Sequence, residues 1–137
     1  MSINTAVAST PEDRAYLETR YRHISAAMFA RKFAVGEYMV IRREEQPFGW
    51  LRWGYFWDSI PFMNMLHIED AYRQRGYGRQ LVLAWEAAMH ANGHDQVMTS
   101  TQADETAQHF YRKLGYKDQG ALLLPGEPLE IILLKRI

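Results

Sequence analysis

The chain has 137 residues, 47% of them apolar and 13% aromatic, which suits one domain that folds on its own core without help. It contains no cysteine, so disulfides, thiolate nucleophiles and cysteine-held zinc or iron–sulfur sites are excluded. Lys plus Arg number 16 and Asp plus Glu number 16, and this balance lacks the basic excess by which a dedicated nucleic-acid binder displaces counterions. The N-terminus shows no secretory pattern, and no apolar run approaches the roughly 20 residues of a membrane span. The expectation is therefore a cytoplasmic protein with neither nucleic acid nor membrane as partner.

In chain order, Ile3 to Ser9 reads as a short opening strand. Thr10-Pro11-Glu12-Asp13 is a helix start, with Thr10 as cap, Pro11 at the first position and acids in the first turn. Pro11 to Ala34 reads as two helices or one bent helix, closed at Gly36. Glu37 to Arg43 alternates as a strand, Glu45-Gln46-Pro47 is a turn, and Phe48 to Trp57 is an aromatic-rich strand. Asp58-Ser59-Ile60-Pro61 breaks it, and Met63 to Glu69 forms the next strand. Arg79 to Asn92 carries Val82, Trp85, Ala88 and Met89 on one helical stripe, with Glu86 and His90 outside it. Gly93 closes that helix. Gln96 to Thr101 is a strand and Asp104 to Leu114 a helix ended by Gly115. Asp118 to Leu124 and Leu129 to Lys135 are closing strands around Pro125-Gly126-Glu127-Pro128. Helices interleaved with strands predict an α/β (α+β) domain over residues 1–137 around one sheet. Short connections predict antiparallel neighbours, and the helical crossover between Glu69 and Gln96 predicts one parallel pair.

The main chemical signal is Tyr72-Arg73-Gln74-Arg75-Gly76-Tyr77-Gly78-Arg79, set between a strand and an amphipathic helix. Two glycines one residue apart let the backbone turn tightly and approach a ligand closely. The helix that follows offers unpaired N–H groups and a positive dipole end, a seat for phosphate. Arg75 and Arg79 stand where a cation is locally unfavourable, which an anion in the site would relieve. No Gly-Lys-Ser/Thr follows, so this is not a Walker loop, and Leu81 stands where a dinucleotide fingerprint needs its third glycine. Gly93 interrupts His90 and His94, so no metal site is expected from the histidines.

Arg73-x-x-Gly76-x-Gly78 matches the R/Q-x-x-G-x-G/A motif of the GNAT superfamily of N-acetyltransferases. The segment from Ala107 to Tyr116, with Phe110, Tyr111, Lys113 and Gly115, resembles that family's A-x-x-hydrophobic-Tyr-x-K-x-G-aromatic stretch. One helix and one strand fill the interval between the two motifs, as in the family. The resemblance implies a GNAT-like central mixed, mostly antiparallel sheet of six to seven strands, about four flanking helices and a splayed parallel strand pair. It implies acetyl-CoA as co-substrate and direct transfer to an amine in a ternary complex. The CoA pyrophosphate would lie on Gln74, Arg75, Gly76, Tyr77, Gly78 and Arg79, following Arg73, and the pantetheine arm along Leu66, His67 and Ile68.

The same resemblance makes Tyr111 the donor of a proton to the departing thiolate; an unperturbed phenol, of pKa about 10, is protonated at neutral pH. Glu69 is the first candidate for the base and His67 the second; the two share strand parity and leave one face. Where the family often has an asparagine reaching the cofactor, this chain has Asp104, a carboxylate that only accepts hydrogen bonds. The alternative expectation is that Asp104 only caps its helix, with Thr101-x-x-Asp104 as a variant capping box. Alternation places Leu51, Trp53, Tyr55 and Trp57 on one face and Trp50 and Phe56 on the other. Trp53, Tyr55 and Trp57, together with Glu69, are the candidates for binding a cationic amine. The expected acceptor is a small molecule or an amino-acid-like amine. A protein or peptide acceptor and a non-catalytic acetyl-CoA sensor are the alternatives, and a monomer or a homodimer is compatible with either.

Overall fold

The computed structural model describes residues 2–137. Thr10 closes the first helix start from both sides. Its hydroxyl accepts the Asp13 N–H at 3.0 Å, and the Asp13 carboxylate accepts the Thr10 N–H at 3.1 Å, ahead of Pro11. The elements run β1 (Ile3–Val7), α1 (Pro11–Glu18), α2 (Ala26–Ala34), β2 (Tyr38–Arg43), β3 (Gln46–Phe56), β4 (Ile60–Ile68), a 3-10 turn (Asp70–Tyr72), α3 (Tyr77–Ala91), β5 (Gln96–Gln102), α4 (Ala107–Lys113), β6 (Lys117–Leu122) and β7 (Glu130–Arg136). The sheet has seven strands in the order β1-β2-β3-β4-β5-β7-β6. β4 and β5 are the parallel pair, with Phe62 opposite Met98 and Met63 opposite Thr99. β1/β2, β2/β3, β5/β7 and β6/β7 are antiparallel. This is the mixed sheet that the crossover pattern predicts, with the four helices that the resemblance implies. Among the described residues no helix is long and apolar enough to cross a membrane.

Several boundaries differ from the sequence reading for local reasons. The β2–β3 turn falls on Glu44 and Glu45, with Glu44 left-handed at φ +56°, so Pro47 lies inside β3 rather than in the turn. A register shift between Ile41 and Arg42 accompanies it, a place where a residue without an N–H is tolerated. β3 ends at Phe56, and the Ser59 N–H bonds the Phe56 carbonyl at 3.2 Å across Trp57 and Asp58, whose φ values are +54° and +57°. Both central residues are left-handed, as a mirror-image hairpin turn requires. Trp57 is thus a turn residue, 79% exposed, not a strand residue sharing a face with Trp53. α4 begins at Ala107, three residues later than expected. Gln108 Nε2 donates to the carbonyls of Ala103 and Glu105 at 2.9 and 2.8 Å, which ties the preceding residues into a turn. Asp104 lies in that turn, Thr106 occupies the cap position, and the Thr101–Asp104 capping box is not formed.

The chain divides into two compact units, Met1–Trp53 with Met65–Trp85, and Gly54–Asn64 with Glu86–Ile137. In the first, Ala8, Leu17, Phe29, Tyr38, Val40 and Trp50 form a core joined by Tyr16, Phe33 and Met65. The rings of Tyr21, Phe29, Tyr38 and Trp50 follow one another at centroid distances of 5.2, 5.5 and 6.0 Å, within the range where offset and edge-on pairs attract. α1 is fastened to this unit by Asp13, fully buried, which takes the Arg42 Nε at 3.0 Å as well as the Ser9 and Thr10 amides. Burial pushes that carboxyl up, but Arg42 and the two amides outweigh it and hold it below the usual carboxylate range.

In the second unit Glu86 corrects the helical-stripe reading. It is 6% exposed rather than outside the stripe, because Tyr116 donates its hydroxyl at 2.9 Å and Lys135 its ammonium at 2.7 Å. A buried carboxylate is tolerated when both oxygens are bonded in this way.

Gly49 shows how closely the strands of the first unit approach. A Cβ there would meet Ile68 Cδ1 at 2.6 Å, Ile41 Cγ2 at 2.8 Å and the His67 carbonyl at 3.0 Å. Gly49→Ala is expected to lower stability by about 1–3 kcal/mol, measured as a drop in the denaturation midpoint with an unchanged slope. An unshifted midpoint would show that the space can open without cost.

Candidate functional site

The turn between β4 and α3 is held from three directions. The Glu69 N–H bonds the Phe48 carbonyl at 2.9 Å, the last rung before the chain leaves the sheet. Arg73 Nε donates to the Ile68 carbonyl at 2.9 Å, and its Nη2 meets Asp70 Oδ1 at 3.2 Å. Phe48 stacks on Tyr72 at 4.2 Å and meets Tyr77 edge-on at 5.0 Å. Arg73 is thus a brace across the base of the turn.

Within the turn Gln74 and Gly76 are left-handed, at φ +61° and +83°, and the space where Gly76 would carry a Cβ is open to beyond 4 Å. α3 starts at Tyr77, two residues earlier than the periodicity indicates, so Gly78 lies in its first turn. The first helical bond runs from the Gln80 N–H to the Gly76 carbonyl at 3.0 Å. The amides ahead of it have no acceptor within the helix. The first turn carries no acid, and Arg75 and Arg79 are exposed beside it, an electrostatic setting in which a helix end favours an anion. Leu66, His67 and Ile68, half-buried, form the strand leading into it.

β4 ends at Ile68, one residue short of the sequence reading, so Glu69 lies just beyond the strand, but Glu69 and His67 meet. His67 Nε2 is 3.3 Å from Glu69 Oε2, and that same oxygen accepts the Tyr16 hydroxyl at 2.7 Å and Arg20 Nε at 3.0 Å. Arg20 lies over the Tyr16 ring at 3.8 Å. Sequence reasoning did not identify Tyr16 and Arg20; their only signal was an i, i+4 spacing across the end of α1. Burial pushes the Glu69 carboxyl up, but the hydrogen bonds from Arg20 and Tyr16 outweigh it and hold it below its ordinary value. Burial, reinforced by the Arg22 charge, pushes His67 below its ordinary value against the pull of Glu69. Burial and the neighbouring Glu69 drive the Tyr16 phenol well up. A neutral His67 donates from Nε2 to Glu69 and keeps a lone pair on Nδ1.

In the second unit Tyr111 is 8% exposed and hydrogen-bonded to Thr99. Thr99 Oγ1 also reaches the Met63 carbonyl, at 3.0 Å. Burial pushes the phenol up to about 12, only partly opposed by Thr99. The hydroxyl therefore stays protonated across the neutral range.

The remaining candidates are dispersed. Trp53 is buried with its ring 6.3 Å from that of Trp85. The Tyr55 hydroxyl is 3.3 Å from His94 Nε2. Trp57 is exposed in its turn, and Asp104 is exposed in the turn before α4. Trp53, Tyr55 and Trp57 do not form the single aromatic face that alternation predicts.

Protonation of His67 links this site to stability. Its folded pKa lies below the unfolded value of 6.5, so on acidification the unfolded chain takes up the proton first and stability falls. Glu69, depressed from 4.5, adds its own loss only at lower pH. Wild type is expected to lose stability between about pH 7 and 5, and His67→Gln to flatten that window while leaving the loss at lower pH in place. Urea midpoints across the pH range measure this; an identical slope in the variant would remove His67 as the cause.

A family model described as an acetyltransferase (GNAT) domain matches residues 34–118. A search of curated proteins by sequence returned no match. Among solved structures the chain is similar to one in the NatC complex bound to Gag peptide and CoA (TM-score 0.82, 15% identity, covering 100% of this chain and 99% of that one). It is similar to a GNAT family acetyltransferase from Elizabethkingia anophelis with acetyl-CoA bound (0.72, 16% identity, 99% and 97%). A third is N-acetylglutamate synthase from Neisseria gonorrhoeae complexed with coenzyme A and N-acetyl-glutamate (0.77, 14% identity, 99% of this chain and 35% of that one). At these identities the structural likeness establishes the fold, and the family model, which spans more than half of the sequence, establishes the lineage: the chain belongs to the GNAT acetyltransferase family.

Proposed function

We propose that the protein transfers an acetyl group from acetyl-CoA to the amine of a small-molecule acceptor, by direct transfer in a ternary complex. The observation that carries this reading is the turn from Arg73 to Arg79, where left-handed Gln74 and Gly76 precede a helix end with free amides and exposed Arg75 and Arg79. The amides of Gln74 through Arg79 hold the pyrophosphate, and β4 from Leu66 to Ile68 offers backbone groups to the pantetheine arm. The amine nitrogen bonds to the thioester carbonyl carbon, the carbon–sulfur bond breaks, and two protons must move: one off the amine and one onto the thiolate.

His67 takes the amine proton at Nδ1. Its neutral state at neutral pH and its Nε2 contact with Glu69 support this over the opposite order. Glu69, ion-paired to Arg20 and bonded by Tyr16, is a weak base and holds the imidazole in the useful tautomer. Tyr111 gives its proton to the thiolate; its protonated, buried hydroxyl suits the role. Asp104, exposed and ionisable, takes no step here.

A peptide acceptor is the second reading. It is favoured by the NatC neighbour, which was solved with a peptide.

Thiol release from acetyl-CoA with panels of small amines and of peptides separates the two readings. Tyr111→Phe is expected to lower kcat about a hundredfold with CoA affinity unchanged, and an undiminished kcat would remove Tyr111 as the acid. Gly78→Val is expected to weaken CoA binding at least ~tenfold, since a branched side chain would crowd the backbone approach to the diphosphate. Unaltered CoA affinity in that variant would contradict the assignment of the turn. CoA binding by wild type without turnover on any acceptor would make the protein a sensor.

A further inference from the structure

Three charged residues are buried among the described residues: Asp13, Arg52 and Glu86. Asp13 has Arg42 as countercharge, and Glu86 has Lys135. Arg52 has none. It stands in the middle of β3, 4% exposed, with its guanidinium 5.7 Å from the centroid of the Trp50 ring. Its Nη2 donates to the Arg22 carbonyl at 2.8 Å, and the guanidinium bonds the Tyr38 hydroxyl oxygen. Its Nη1 is buried with no partner at all. A guanidinium always carries its charge, and holding it out of water against neutral oxygens, with one nitrogen unmet, is costly unless an anion completes it.

The position of Nη1 matters. Trp50 lies two residues before Arg52 on the same face of β3, and its ring is 6.2 Å from that of His67. Arg22, whose carbonyl caps Arg52, belongs to the irregular segment between α1 and α2. Arg20, Arg22 and Arg73 act electrostatically on His67 against Glu69, and the one further acid at this turn, Asp70, is paired with Arg73 at 3.2 Å. The surroundings of the base are thus net cationic, which repels a bare ammonium and favours a molecule that brings a negative group with its amine.

We propose that Arg52 recognises a carboxylate on the acceptor, so that this transferase acetylates a free amino acid rather than a plain amine. The carboxylate joins or displaces the Arg22 carbonyl and satisfies Nη1, forming a charge-assisted pair. This rests on the acetyltransferase reading above and deepens its acceptor side.

The test compares free amino acids with their decarboxylated amines, their carboxamides and the corresponding aminoalkyl phosphates, by thiol release from acetyl-CoA. Wild type is expected to prefer the amino acid at least ~tenfold in kcat/KM. Arg52→Met is expected to lose that preference through KM while retaining turnover of the plain amine, and to melt no lower than wild type, since it removes an uncompensated buried charge. Arg52→Lys, which keeps the charge without the fork, is expected to restore part of the preference. Equal kcat/KM for an amino acid and its decarboxylated amine, a preference for the phosphate, or an unchanged preference in Arg52→Met would each overturn the proposal while leaving acetyl transfer intact. Calorimetry of the same amino acids on CoA-loaded protein reads the site without chemistry. Amino acids that bind wild type and not Arg52→Met support the subsite even if transfer itself fails; absence of binding to wild type overturns it.

Discussion

The geometry of the turn between β4 and α3 depends on how β4 lets go of the sheet. At Glu69 the N–H still reaches the Phe48 carbonyl, while at Ile68 the carbonyl has already been taken by the Arg73 side chain from beyond the turn. Those two bonds fix the exit direction, and the Phe48–Tyr72–Tyr77 ring cluster fixes the height at which α3 begins. Only then do the left-handed residues Gln74 and Gly76 have a defined effect, because a nest of amides binds an anion only if its rim is held still. The arginine of the motif therefore serves as a structural brace: it supplies a donor to a carbonyl that the departing strand would otherwise leave unmet.

The same rule organises the buried charges. Asp13 is satisfied by two amides and Arg42, and through them α1 is fixed against β2. Glu86 is satisfied by Tyr116 and Lys135, which ties α3 to β7 and to the residue just before β6. Both sites cost little because each carboxylate meets a full set of donors. Tyr116, whose phenol burial and Glu86 drive well up, is locked as a donor there. Arg52 departs from the rule, and a departure of this kind in an otherwise satisfied interior is more informative than any of the satisfied sites.

The order of strands and helices was legible in the sequence because it depends on period and on punctuation by Gly, Pro and cap residues, all local quantities. Thr10-Pro11 and Gly93 needed only their neighbours to be read. Pro47 and Pro61 were misread as turn residues because the sequence cannot show that a bulge or a strand end will accept a missing N–H. Trp57 was read as a strand residue because alternation has no way to see a mirror-image turn built from non-glycine residues. The tight turn before α3 was legible since glycine spacing and a helix start are local. The groups around Glu69 were not: Tyr16 and Arg20 lie 53 and 49 residues away in sequence, and only the packing of α1 on the sheet brings them there.

That packing also decides which of two adjacent side chains is suited to accept a proton. From sequence alone a glutamate and a histidine two residues apart are equal candidates, and glutamate has the stronger precedent in the family it resembles. In the fold, three donors converge on the single oxygen Glu69 Oε2, and each of them lowers the basicity of the carboxylate. His67 experiences the opposite: desolvation and nearby arginines keep its proton off, so its lone pair is available at neutral pH. A carboxylate that is already ion-paired gains little by taking a proton, because doing so would strand Arg20. An imidazole that is neutral in the resting state gains a stabilising pair with Glu69 at the moment it becomes charged. The network thus favours the histidine as proton acceptor and the glutamate as the group that stabilises the resulting imidazolium.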